Sequence, residues 1–145
     1  MHKLFIQSGA LLAGLAVAIG AFGAHGLRSL LQQYGRTANF ETAAQYQMYH
    51  ALALLLTGIL LIHFPARQLV WAGWSFMVGI LFFSGSLYIL SLTNVSKWGA
   101  VTPIGGLAFL VGWVLLLIGI SKQAVIKKRP ADCSAGLFLG RGCAY

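Results

Sequence analysis

The sequence predicts an all-α, polytopic four-helix transmembrane bundle, and three observations carry that expectation. The 145 residues are 59% hydrophobic and only 8% charged, with a mean hydropathy of +0.81. A soluble domain has about 25% charged residues. Four runs free of acidic and basic side chains other than histidine, Leu4–Leu27, Tyr46–Phe64, Leu69–Leu92 and Ala100–Ile120, fill most of the chain. Each reaches the ~20 apolar residues that a helix needs to cross the ~30 Å hydrocarbon core. The ten lysines and arginines all fall between or beyond these runs.

Those basic residues orient the bundle. Lys3, Arg67, Lys122, Lys127, Lys128, Arg129 and Arg141 share the side of both termini, against Arg28, Arg36 and Lys97 on the other. By the positive-inside rule both termini are expected in the cytoplasm. The net charge of +8 does not form a basic stripe or patch, so nucleic acid is not an expected partner. The expected partners are the lipid bilayer and either another inner-membrane protein or a second copy of the chain. One membrane domain over residues 1–125 and a basic, flexible tail over 126–145 complete the organisation.

The first run could be misread as a signal peptide, because Lys3 precedes it and Ala21-Phe22-Gly23 resembles a cleavage site. Its length exceeds the ~7–15 residues of a signal core, so it is expected to stay as a span. Gly9, Ala13, Ala16, Gly20 and Gly23 line one face of this helix. Gly105, Ala108, Gly112 and Gly119 line a similar face on the fourth. Small faces let membrane helices approach closely, so these two helices are expected to be tightly packed, with each other as one available partner.

Residues Arg28–Ala38 form the longest internal connection. Leu27, Leu30, Leu31 and Tyr34 at helical spacing suggest a short helix at the outer interface. Asn39 is the expected cap of the second helix, which then begins at about Phe40 with Glu41 in its first turn. Pro65-Ala66-Arg67-Gln68 reads as a tight turn that makes the second and third spans antiparallel neighbours. Trp71, Trp74 and Trp98 suit interfacial belts. Thr102-Pro103 reads as a cap and first-turn proline for the fourth helix. Ala131–Tyr145 carries no clear element, and its Cys133 and Cys143 match no zinc spacing.

Polar residues inside spans are costly and point to function. His25, Gln45, Tyr46, Gln47, His50, Ser84, Ser86, Tyr88 and Thr102 are expected near one depth, close to the outer face. Three readings stay open: a hydrogen-bonded network fixing helix register, a haem or transition-metal site on His25 and His50, and a pocket for a small molecule or lipid headgroup. The network or the pocket is preferred, with no cofactor; the haem or metal site is the alternative, as an electron-transfer or assembly factor. No catalytic constellation is evident. Glu41 is the only carboxylate before the tail, no thiol joins the polar residues, and Ser84-Gly85-Ser86 is unlike a nucleophile elbow. His63 and His2 suggest no chemistry. A proton-coupled antiporter is also disfavoured, because the first span has no acid.

Four ordered motifs carry a resemblance. They are Ala21-Phe22-Gly23-Ala24-His25-Gly26, Tyr46-Gln47-Met48-Tyr49-His50-Ala51-Leu52, Phe83-Ser84-Gly85-Ser86-Leu87-Tyr88 and Thr102-Pro103-Ile104-Gly105-Gly106. Over about residues 1–125 the chain resembles the domain-of-unknown-function family 423, the YgdD-like small bacterial inner-membrane proteins, to which mitochondrial transmembrane protein 256 is related. The resemblance implies a multi-pass protein with four helices and supplies no reaction, substrate or cofactor. The sequence after Pro130 departs from the family's short basic ending.

Overall fold

Six α-helices, in a computed structural model that describes the backbone of residues 1–138 and the side chains of residues 1–122, make the bundle. They are α1 (His2–His25), α2 (Arg28–Gln33), α3 (Thr37–His63), α4 (Arg67–Gly79), α5 (Gly85–Thr93) and α6 (Thr102–Phe138). A π-helical turn, Ile80–Ser84, joins α4 to α5, and a 3₁₀ turn, Ser96–Ala100, leads into α6. Four stretches are long and apolar enough to cross a membrane: His2–His25, Thr37–His63, Arg67–Thr93 and Ser96–Lys122. The four long runs of the sequence therefore correspond to four helical spans, and no strand occurs among the described residues.

Both hairpin connections at the end distant from the termini use a left-handed residue. Gly35 has φ +62° between α2 and α3, and Asn94 has φ 56° at the end of α5. These are residue types that adopt that region at low cost. Arg36 ties the two connections together. Its Nε donates to Asn94 Oδ1 at 3.0 Å and its Nη2 donates to Ser96 Oγ at 2.9 Å.

The small faces work, but not on each other. Each meets a sequence neighbour: α1 lies along α3, and α6 lies along α4 and the π turn. A Cβ on Gly9 would stand 2.8 Å from the Leu55 nitrogen and 2.9 Å from the Ala51 oxygen, so α1 and α3 touch through their backbones. Gly23 faces the Phe40 ring, and Gly20 faces Ala44. On α6, Gly105 abuts the backbone of Phe83, Gly112 the Phe76 ring and Gly119 Leu69. Ala16 is buried, and Ala13 and Ala108 are half-buried on the same faces. The pairing follows shape and not loop length: Gly9 and Gly105 let the backbones of α3 and the π turn come close, and α1 pairs with α3 across the longest internal connection.

The core draws on all four spans: Phe5 from α1, Leu54 from α3, Leu69 and Phe76 from α4, Ile80 from the π turn, and Phe109 and Leu116 from α6. Three boundaries differ from expectation. Helix α3 begins at Thr37 after Arg36, so Asn39 lies inside it and caps nothing. Thr102 is a helical residue whose hydroxyl turns to Ser86. Helix α6 continues through Pro130 to Phe138, where no element was expected from Ala131 onward. Cys133, Cys143 and the basic side chains after Lys122 lie outside the described side chains.

Candidate functional site

The nine polar residues do not form one cluster; the packing sorts most of them into three places. Depth can be read along α3. The antiparallel α1 sets Gly9 against Ala51 and Leu55, Leu12 against Gln47, Gly20 against Ala44 and Gly23 against Phe40. His25 is thus level with the first turns of α3. His50 lies ten residues beyond Phe40, roughly 15 Å deeper at 1.5 Å per residue. The two histidines do not share a site.

The first place is a buried polar bridge across three helices. Gln47 is only 4% exposed. Its Nε2 donates to the Leu12 carbonyl of α1 at 2.9 Å, and its Oε1 accepts the Tyr88 hydroxyl of α5 at 2.9 Å. Tyr88 also packs edge-on against Phe40, with ring centroids 5.2 Å apart. Nearby, Ser86 Oγ donates to the Phe83 carbonyl at 3.0 Å and accepts from Thr102 Oγ1 at 2.9 Å, joining α5 to α6. Ser84 is buried at the end of the π turn, and its hydroxyl has no partner among the described residues.

The second place is an aromatic seam between α3 and α6. The His50 ring stacks on Phe109 at 3.4 Å with planes 9° apart. Its Nδ1 lies 2.8 Å from the Tyr46 carbonyl, and the indole Nε1 of Trp113 reaches its Nε2 at 3.3 Å. An indole N–H can only donate, so Nε2 accepts and Nδ1 carries the proton. Both ring nitrogens are thereby engaged. Tyr46, one turn before His50, stacks on Phe83, with centroids 4.7 Å apart. A shallow groove of about 450 Å³ runs over this seam past Tyr49 and Gly106. Phe109 and Trp113 were not singled out in the sequence, although their i, i+4 spacing was a usable signal for a shared face.

The third place is a pocket of about 540 Å³ at the end distant from the termini, between the last turn of α1, helix α2 and the start of α3. Gly20, Gly23, Ala24, Phe40 and Ala44 give it an apolar floor. His25, Arg28, Gln32, Glu41 and Gln45 stand around it. Only His25 and Gln45 of these five were singled out in the sequence as site residues. No three His, Cys, Asp or Glu side chains converge as metal ligands among the described residues.

Residues 19–106 match the family described as a protein of unknown function, DUF423. The chain belongs to that family. Its relatives include a UPF0382 membrane protein of Staphylococcus aureus, 49% identical over 122 residues that make up 84% of this chain and 98% of the relative. A UPF0382 membrane protein of Staphylococcus saprophyticus is 51% identical over 120 residues, covering 83% and 98%. The UPF0382 membrane protein YwdK of Bacillus subtilis is 44% identical over 122 residues, covering 83% and 98%. No solved structure matches the chain. With its four candidate spans, this DUF423 chain is a multi-pass membrane protein, and the family's description names no activity.

Proposed function

We propose that this DUF423 protein is a non-enzymatic binder of a small amphiphile, held in the pocket between α1, α2 and α3 at the outer face of the plasma membrane. One observation carries the reading: that pocket joins an apolar floor to a rim bearing Arg28, Glu41 and His25. Ligand sites of this kind are concave and mostly apolar, with a few polar groups that fix orientation. The excess of Lys and Arg on the side of the termini supports the orientation, both termini cytoplasmic and the pocket outside. The bridge from Gln47 to the Leu12 carbonyl holds two of the pocket's helices, α1 and α3, in register, and the Tyr88 hydroxyl ties that bridge to α5.

Native mass spectrometry of the detergent-purified protein tests this. The wild type retains an adduct of amphiphile mass, and Ala24→Trp, which fills the pocket from an exposed position, loses it. An adduct held equally by both proteins overturns the reading. So does a Soret band or stoichiometric metal in the purified sample, which would return attention to the histidines. Reporter fusions at Arg36 and after Lys122 test the orientation, and a periplasmic C-terminal reporter refutes it.

A further inference from the structure

We propose that the pocket selects a zwitterionic phospholipid headgroup, with its phosphate against Arg28 and its ammonium against Glu41; this rests on the reading above. The two side chains stand on different helices, α2 and α3, and line the same pocket. Glu41 is one of only two acidic residues in the chain, and the only one among the described side chains. No ion pair within 4.0 Å joins it to Arg28 or to any other cation among the described residues. The pocket is therefore dipolar. One rim position carries a planar fork suited to a phosphate, and another carries an acceptor suited to an ammonium.

Charge decides between headgroups. A purely anionic headgroup such as phosphatidylglycerol would place its one negative charge on Arg28 and leave Glu41 facing a neutral glycerol. A cationic amphiphile would meet the reverse difficulty. A headgroup carrying both charges satisfies both residues at once. A primary ammonium adds hydrogen bonds that a quaternary one cannot donate, with the Glu41 carboxylate and the Gln45 side-chain carbonyl as acceptors. The same chemistry could come from a soluble phosphoamine. The floor argues for the lipid: Gly20, Gly23, Phe40 and Ala44 lie along the contact line of two spans, α1 and α3, so an acyl chain follows that apolar seam while the headgroup stays at the rim.

Competition measured by native mass spectrometry reads this directly. Delipidated protein is offered equimolar phosphatidylethanolamine, phosphatidylglycerol and phosphatidylcholine, with and without glycerophosphoethanolamine. The wild type is expected to prefer phosphatidylethanolamine over phosphatidylglycerol by about fivefold, the scale of one interfacial charge contact. Glu41→Gln, an exposed and nearly isosteric change, brings the two lipids to parity, and Arg28→Gln weakens both. Circular dichroism checks that each variant keeps its helices. Parity in the wild type, or a preference unchanged in Glu41→Gln, overturns this inference alone. Retention of no lipid of any class overturns the amphiphile reading with it. Full displacement by glycerophosphoethanolamine assigns the site to a soluble ligand and overturns the lipid source.

Discussion

Tyr88 gives its phenolic hydrogen to Gln47 Oε1 at 2.9 Å, from one buried helix to another. In hydrocarbon an unpaired amide or phenol has no water to turn to, so the pair fixes the register of α3 against α5. Interhelical bonds of this kind measure about 0.6 kcal/mol on average and reach ~1.7 kcal/mol. A double-mutant cycle of Gln47→Leu and Tyr88→Phe, followed by unfolding in mixed micelles, is expected to give a coupling in that range. Zero coupling means the bond contributes nothing to the folded state.

Gly9 is where α1 and α3 come closest. Gly9→Ala places a carbon 2.8 Å from the Leu55 nitrogen and 2.9 Å from the Ala51 oxygen. Backbone cannot step aside as a side-chain tip can, so the helices must separate, at about 1–3 kcal/mol. Gly14→Ala, with nothing within 4 Å, is the matched control and should change stability by no more than ~0.5 kcal/mol. Equal losses at the two positions would contradict the packing.

Ser84 presents the opposite case. Its buried hydroxyl has no partner among the described residues, and a lone buried donor costs about 1–3 kcal/mol. Ser84→Ala is therefore expected to stabilise the bundle, by about 1 kcal/mol. The same unfolding assay reads it, and a clear destabilisation would show that the hydroxyl is satisfied.

Arg36 bonds Asn94 and Ser96 across the two distal connections, and all three side chains are near solvent. Exposed contacts contribute little to global stability, so Arg36→Ala should alter it by less than ~1 kcal/mol. Its effect is local. Amide exchange in the turn from Asn94 to Ala100 is expected to accelerate while exchange in α3 stays unchanged. Uniform exchange across both regions would dismiss the latch.

Length and hydropathy made the four spans legible, because a bilayer imposes its own thickness on any crossing helix. The small faces of α1 and α6 were legible as packing faces, since Gly at helical spacing has few other uses inside a membrane. Their partners were not legible: which side of Gly9 meets Ala51 depends on helix rotation, which composition does not encode. The π turn at Ile80–Ser84 was hidden for a similar reason, since an added backbone residue leaves hydropathy unchanged. Equal depth for His25 and His50 failed by helix arithmetic. Helix α3 starts at Thr37 rather than Phe40, and α1 ends beside its first turns, so His50 lies several turns deeper. Arg28 and Glu41 were visible as isolated charges, but their shared pocket needed the fold of α2 between them.

Helix α1 leans chiefly on α3, and α6 chiefly on the α4–π–α5 span. During synthesis the chain therefore completes its first pair once α3 has left the ribosome, and its second pair only when α6 follows. The stacked rings of His50 and Phe109 then connect a residue of the early pair to one of the late pair. Newly made chains must carry the α3 half of that seam uncovered until the fourth span arrives.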